Sequence, residues 1–250
     1  MREIGEIQVW YADLRGLAHR LEAFRALLSP DETARAARFA TAELRSRCVL
    51  RRGLLRHLLG RILGCAPATL AFAYGPMGKP FLPGGPAFNL ADCKDDVLIA
   101  IAPGGEVELG VDIERLRRVP DAAGIAERFF APEERAAFAA LPGALRDEAF
   151  LNGWTRKEAF IKATGQGLST PLDRFAVELA PGRPARLLSL DGALEAGNAA
   201  DWSLFDLRPA PGTVAALAGR GGGWRPALRP AGAAGRARRA PRRWAAGPRP

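Results

Sequence analysis

Residues 109–114 have the sequence Leu-Gly-Val-Asp-Ile-Glu, in which every second residue is large and apolar. This period of two predicts a β-strand with its apolar residues on one face. Asp112 and Glu114 then lie side by side on the opposite face. A hard, oxygen-liganded ion such as Mg²⁺ would hold two like charges so close together. The same alternation also occurs in an ordinary half-exposed strand, so the spacing fits both a metal site and a simple sheet surface.

The sequence before this strand predicts its partner. Val97 to Ala102 is an apolar run, a Pro-Gly-Gly sequence follows at 103–105, and the segment from Val107 to Glu114 comes next. Two apolar runs separated by a glycine-containing turn are typical of a β-hairpin.

Two long helices are predicted, one in each half of the chain. Apolar residues recur at helical spacing over about 42–63 and about 144–164, and Gly64 and Gly165 follow as C-caps. Each half therefore contains a long helix, a glycine-containing turn and a strand. This order of elements suggests two similar α/β lobes, although the residues themselves do not repeat.

The helix around Trp154 carries charges at unusual positions. At 100° per residue, Lys157 and Glu158 fall inside an arc of large apolar residues, where burying a charge is costly unless it is paired or binds a metal. Lys162 lies four residues after Glu158, in the order that favours an ion pair. One interpretation is an intrahelical Glu-Lys pair at the edge of a buried face. The other is a third carboxylate and two cations that point into a cleft holding an anionic substrate and its metal.

The composition is that of a soluble globular protein. The chain has 250 residues, 48% hydrophobic and 25% charged, which is enough for one large domain or two lobes. The longest apolar run, Val97 to Pro103, is too short to span a membrane. Cys48, Cys65 and Cys93 form no CxxC pair, which favours a reducing cytoplasm. The chain has only two histidines, which argues against a histidine base. We expect a cytoplasmic protein with no membrane partner.

The net charge of +9 is concentrated at the C-terminus. No acidic residue follows Asp206, whereas nine arginines occur from Arg220 onward. Residues 221–250 consist almost entirely of Gly, Ala, Pro and Arg, a composition that predicts disorder. An Arg-rich tail can bind nucleic acid or an acidic partner, but a solvated appendage is the simpler interpretation, so we do not expect nucleic acid as a partner.

Four segments occur in a distinctive order. They are Gly-Val-Asp-Ile-Glu at 110–114, Arg-Phe-Phe at 128–130, Trp-Thr-Arg-Lys-Glu-Ala-Phe-Ile-Lys at 154–162 and Gly-Gln-Gly-Leu-Ser at 165–169. Together they resemble the signature of the surfactin-type 4'-phosphopantetheinyl transferases. Gly-Lys-Pro at 78–80 and Phe-Asn-Leu at 88–90 resemble a preceding motif of that family, so the resemblance covers about residues 35–179.

The resemblance implies an α+β monomer of two similar lobes related by a pseudo-two-fold axis. We expect an N-terminal lobe at 1–105, a C-terminal lobe at 106–220, and coenzyme A and Mg²⁺ in the cleft between them. By the same likeness the Mg²⁺ ligands are Asp112, Glu114 and Glu158. Lys162 would meet the pyrophosphate, and Arg47, Lys79 and Lys157 match family positions that face coenzyme A. Arg52 is a further candidate, because it lies on the same helix as Arg47, which the resemblance places beside the nucleotide.

The resemblance also implies a reaction. A serine of an acyl or peptidyl carrier protein would attack the β-phosphate of coenzyme A and release adenosine 3',5'-bisphosphate. Glu158 is our candidate for the base that takes the serine proton, and Lys162 would neutralise developing charge. The carrier would belong to a polyketide, nonribosomal peptide or fatty acid synthase, as in secondary metabolite biosynthesis.

The chain departs from the family pattern at one position. Ala91 and Asp92 stand where the family usually has Ser-His, and the family histidine faces the 3'-phosphate of coenzyme A. Asp92 would either repel that phosphate or orient an arginine toward it, with Arg47 and Arg52 as the candidates; we favour the orienting role. The departure also motivates an alternative function, a catalytically degenerate member that only binds a carrier domain or coenzyme A.

Overall fold

The computed structural model describes residues 5–104, 107–167 and 170–231. Within these ranges the α-helices are Leu21–Arg25 (α1), Pro30–Ala37 (α2), Ala42–Leu63 (α3), Ala122–Phe129 (α4), Pro132–Ala140 (α5) and Gly143–Thr164 (α6). The strands are Gly5–Asp13 (β1), Ala73–Tyr74 (β2), Pro80–Phe81 (β3), Ala87–Cys93 (β4), Asp96–Ala102 (β5), Leu109–Arg115 (β6), Phe175–Val177 (β7), Leu187–Leu190 (β8), Trp202–Leu207 (β9), Thr213–Arg220 (β10) and Trp224–Pro230 (β11). Among the described helices, none is long and apolar enough to cross a membrane.

Two sheets form the centre of the molecule. One has the strand order β11-β1-β5-β4 and the other β6-β10-β9. In the first sheet β5 pairs antiparallel with both β1 and β4, and in the second β10 pairs antiparallel with both β6 and β9. The mixed helix-and-strand class is therefore confirmed. A pseudo-two-fold relation between the halves and the lobe limits remain predictions.

The two 22-residue helices form as predicted and cover the two sheets. In α3 the Thr41 side chain accepts a hydrogen bond from the Leu44 amide, and the helix ends at Gly64 in the left-handed conformation. Leucines of α3 pack on the face of β5 that carries Val97, Ile99 and Ile101. On the second sheet, small and aromatic residues of α6 pack against Ala216 and Ala218 of β10. Each half thus buries one helix face against one sheet.

The predicted hairpin over 97–114 is wrong. The strand β5 lies between β1 and β4, so both of its edges are already paired, and β6 pairs with β10 in the other sheet. The two apolar runs are real strands, but their partners are distant in sequence. Local alternation and a turn signal identify a strand without identifying its neighbour.

The prediction of disorder after residue 220 is wrong for residues 224–230. They form β11, which pairs parallel with β1 from Gly5–Trp224 to Tyr11–Pro230. The Trp224 indole covers Gly5 so closely that a methyl group at Gly5 would lie 2.3 Å from the ring, and its Nε1 donates to the Arg220 carbonyl at 2.9 Å. Strand pairing and one partly buried aromatic ring supply the order that the composition did not indicate. Residues 232–250 of the predicted tail lie outside the described residues.

Deleting residues 224–250 should lower the melting temperature by about 10 °C, because β1 loses its parallel partner and the Trp224 ring no longer packs on Gly5. Deleting only residues 232–250 is the matched control, and its composition predicts little change. Scanning calorimetry of the two truncated chains checks the difference. Equal melting temperatures for both would show that β11 does not stabilise the first sheet.

Candidate active site

Gly110 allows α6 to lie directly against β6. A methyl group at this position would come within 2.1 Å of the Ala159 carbonyl oxygen and 2.4 Å of the Ala163 nitrogen. Gly110 and Asp112 share one face of β6, while Leu109, Val111 and Ile113 are buried on the other as the alternation predicted. The absence of a side chain at Gly110 therefore brings the C-terminal half of α6 next to Asp112.

Asp112 pairs with Lys162 across this contact. The carboxylate is 8% exposed, and its Oδ1 is 2.5 Å from the Lys162 ammonium. Burial raises the pKa of Asp112 to about 7; the ion pair with Lys162 opposes the shift, and the nearby carboxylates of Glu158 and Glu114 add to it. Lys162 thus forms its ion pair across to the strand, and not along the helix to Glu158 as the intrahelical interpretation required.

Glu158 and Glu114 complete the acidic cluster. Glu158 is half-buried on α6; burial raises its pKa, the Lys162 charge lowers it and the Glu114 charge raises it further. Glu114 accepts a hydrogen bond from the Cys93 thiol at 3.4 Å and lies 3.8 Å from the Arg117 guanidinium. The three carboxylates therefore lie close enough to repel one another, and the positive charge of Lys162 partly offsets this repulsion.

The cluster lies where the two halves of the chain meet. Cys93 belongs to β4 of the first sheet, and the Asn89 side chain of the same strand accepts a hydrogen bond from the Val111 amide at 2.9 Å. This bond ties β4 to β6, although the two strands are not paired in one ladder. Residues of both halves therefore border the acidic cluster.

The donor set suits a hard divalent cation. Carboxylate oxygens are the ligands that Mg²⁺ prefers, and the repulsion among these three carboxylates would be relieved by a bound cation. Among the described residues, no three acidic, histidine or cysteine side chains are arranged so that they could hold a metal as they stand. The assignment of Asp112, Glu114 and Glu158 as ligands remains a prediction.

Lys157 does not point into the site. Its side chain is 0% exposed, and its ammonium lies 2.7 Å from a Glu134 oxygen. It also donates to the carbonyls of Leu172 and Phe175, at 2.7 and 2.5 Å, and lies 4.2 Å from the Phe175 ring centre. The expectation that Lys157 faces coenzyme A is therefore contradicted. The charge is buried because a second buried charge neutralises it.

Lys79 lies at the ends of the two elements that carry the cluster. Its ammonium donates to the carbonyls of Leu109 at the start of β6 and of Ala163 at the end of α6, both at 3.0 Å. Burial lowers the pKa of Lys79 to about 8, and the Glu108 charge opposes this shift. Lys79 thus clamps the end of the β6–α6 contact. Its predicted contact with coenzyme A remains untested.

Arg47 and Arg52 are both engaged by carboxylates on the first half of the chain. Arg47 binds Asp95 through two nitrogens, at 2.7 and 3.2 Å, which raises the pKa of its guanidinium. Arg52 pairs with buried Glu32 and donates to the Tyr74 hydroxyl at 3.1 Å. Both stay partly exposed, and their predicted contacts with coenzyme A remain predictions.

Asp92 pairs with an arginine, but with neither of the two expected. Its carboxylate pairs with Arg51, the neighbour of Arg52 on α3, and both side chains are about one-third exposed. The structure therefore corrects the partner, and the role of Asp92 in orienting an arginine toward the 3'-phosphate stays a prediction. Helical spacing could not have selected Arg51, because arginines occur on several faces of α3.

Replacing Gly110 by alanine should lower the free energy of unfolding by at least about 2 kcal/mol, because the new methyl group forces α6 away from β6. Gly143→Ala, at the start of α6 where a methyl group meets nothing within 4 Å, is the matched control and should be neutral or slightly stabilising. Denaturant unfolding measures both. If the two variants are equally stable, the close approach at Gly110 is not required.

Comparison with known proteins identifies the family of this sequence. A model of the 4'-phosphopantetheinyl transferase superfamily matches residues 108–217, the range that contains Asp112, Glu114, Glu158 and Lys162. This class of protein is the one that the sequence motifs indicated.

Individual relatives extend the match over most of the chain. It is 37% identical to the 4'-phosphopantetheinyl transferase HetI of Nostoc sp., over 88% of this chain and 90% of the relative. It is 40% identical to a putative 4'-phosphopantetheinyl transferase of Synechocystis sp. (62% and 63% covered) and 32% identical to the 4'-phosphopantetheinyl transferase Sfp of Bacillus subtilis (63% and 69%). The chain belongs to the 4'-phosphopantetheinyl transferase family, and the resemblance to its surfactin-type members is confirmed.

Proposed function

We propose that this chain transfers 4'-phosphopantetheine from coenzyme A to a serine of an acyl or peptidyl carrier protein. The serine Oγ forms a bond to the β-phosphorus while the bond from that phosphorus to the oxygen bridging the two phosphates breaks. Adenosine 3',5'-bisphosphate leaves, and the serine proton passes to a base. The observation that carries the proposal is the convergence of Asp112, Glu158 and Lys162 where β6 meets α6.

The side chains of the cluster divide the work. Asp112, Glu114 and Glu158 would hold Mg²⁺, which when bound neutralises charge on the diphosphate. Lys162 supplies a positive charge to the same diphosphate oxygens. The pKa of Glu158, raised by burial, suits a base that takes the serine proton. A site that works by positioning and charge neutralisation needs no histidine.

Other features of the chain agree with a cytoplasmic monomer that acts on coenzyme A. One chain contributes the whole cluster, and Cys48, Cys65 and Cys93 are free thiols. Arg47, Arg51 and Arg52 of α3 carry guanidinium groups of the kind that binds phosphate in a two-pronged manner, and in this structure each is paired with a carboxylate that a phosphate would have to replace or share.

The test is the intact mass of a purified apo carrier protein after incubation with the chain, coenzyme A and Mg²⁺. A gain of one phosphopantetheine group is expected, and a carrier with its acceptor serine replaced by alanine should gain nothing. If several different carriers gain no mass but still bind the chain, the catalytically degenerate alternative is correct.

Asp92→Ala should raise KM for coenzyme A about three- to tenfold, because Arg51 loses the carboxylate that orients it. KM for dephospho-coenzyme A, which lacks the 3'-phosphate, should change less. Asp13→Ala, which removes an exposed ion pair with Arg15, controls for general loss of charge. Steady-state kinetics with both substrates decide the matter. A lower KM for coenzyme A in Asp92→Ala would mean that Asp92 only repels the phosphate.

A further inference from the structure

The Lys162 ammonium is paired with one of the carboxylates that the proposed metal would use. It lies 2.5 Å from Asp112 Oδ1, in a cluster whose other members are Glu158 and Glu114. The only other cation paired with these carboxylates among the described residues is Arg117, which lies 3.8 Å from Glu114 at the exposed rim. Lys162 is therefore the internal counter-ion of the cluster.

We propose that Lys162 and the divalent cation compete for Asp112, so that cation binding releases the Lys162 ammonium to the anionic substrate. Cation and coenzyme A then bind cooperatively through one side chain. The proposal deepens the proposed function, on which it rests for the identity of the two ligands.

The two partners differ in their freedom to move. Asp112 projects from a strand that is buried on both faces, so its carboxylate is held in place. Lys162 is one-third exposed near the end of α6, and its four-carbon side chain can swing toward solvent without opening the core. Two cations at bonding distance from one carboxylate group repel each other. Lys162 is thus the partner that moves.

A purely structural role for the Asp112–Lys162 pair is unnecessary. The approach of α6 to β6 is already set by Gly110 beneath Ala159 and Ala163. Lys79 adds hydrogen bonds to Leu109 and Ala163, one on each element. The ion pair is therefore free to open without separating helix and strand.

The proposal predicts how each ligand binds when the other is absent. Without coenzyme A, Lys162 is an obstacle, so removing it should tighten cation binding. Without a cation, Asp112 restrains Lys162, so neutralising Asp112 should tighten coenzyme A binding. Coupling between two ligands must be equal in both directions.

The first measurement titrates the full chain with Mn²⁺ by electron paramagnetic resonance at pH 8.5 without coenzyme A. Lys162→Met should bind Mn²⁺ about tenfold more tightly than the parent, a change of about 1.4 kcal/mol. Arg118→Met, which removes an exposed positive charge in the loop after β6, is the matched control and should change the affinity less than twofold. Asp112→Asn should weaken Mn²⁺ binding.

The second measurement titrates coenzyme A calorimetrically with EDTA present. Asp112→Asn should bind coenzyme A several-fold more tightly than Glu114→Gln, since both remove one negative charge but only the first releases Lys162. Adding Lys162→Met to Asp112→Asn should abolish the gain. Cooperative thermal melting verifies that each variant is folded.

The outcomes separate this inference from the proposed function. The competition is overturned if the parent and Lys162→Met bind Mn²⁺ equally tightly, or if Asp112→Asn and Glu114→Gln gain equally in affinity for coenzyme A. Neither result bears on the proposed transfer reaction. If neither the parent nor Lys162→Met binds Mn²⁺, the metal assignment and this inference both fail. Failure of transfer with normal metal competition would overturn only the proposed reaction.

Discussion

Replacing Glu158 by glutamine should reduce kcat/KM for transfer at least about a hundredfold, or roughly 2.7 kcal/mol on the barrier. The substitution keeps the shape of the side chain and removes both its charge and its capacity to accept a proton. Stability should not fall, because burial already raises the pKa of Glu158 and so disfavours its charged form. The measurement is single-turnover transfer to a carrier protein.

Glu148→Gln is the matched control on the same helix. Glu148 pairs with Arg208 at 2.8 Å at the surface, and its replacement should leave transfer unchanged. If Glu158→Gln keeps more than a tenth of the parent rate, Glu158 is neither the base nor a required ligand.

Replacing Lys157 by methionine should cost about 3 to 5 kcal/mol of stability, because it leaves Glu134 as an unpaired charge in the core. Glu134 is tied there, since it also accepts hydrogen bonds from the amides of Ala131 and Val177 at 2.7 and 2.8 Å. The double variant Lys157→Met/Glu134→Gln should lose much less than the sum of the two single variants. Urea unfolding of the four proteins measures this coupling.

The same variants test where Lys157 lies. In the double variant, KM for coenzyme A should equal that of the parent, because the Lys157 side chain does not reach the surface. A large rise in KM with stability unchanged would contradict this placement and restore the contact that the family resemblance implied.

The sequence predicted the parts of this molecule that depend on local spacing. The period of two over 109–114 placed Asp112 opposite the apolar face, and helical spacing with terminal glycines located α3 and α6. The motif around Trp154 indicated the family. These predictions are confirmed because the face on which a residue lies in a strand or helix depends mainly on its position along the chain.

Features that depend on distant partners escaped prediction. Lys157 and Glu158 are adjacent, and both lie in one apolar arc of the helix. Lys157 nevertheless pairs with buried Glu134, whereas Glu158 lies in the acidic cluster. Glu134 is visible in the sequence as an acidic residue, but nothing in the spacing joins it to Lys157. Similarly, the glycine at 110 was visible as a gap in the alternation, and only the packed helix explains it.

The parallel pairing of β11 with β1 joins the two ends of the described chain, as in the contact between Arg229 and Glu6, 223 residues apart. During synthesis, β1 leaves the ribosome well before β11, its outer neighbour, is made. Contacts of such long range form slowly, and an unpaired strand edge invites association with other chains. A product terminated before residue 224 would therefore tend to aggregate even though it carries every residue of the acidic cluster.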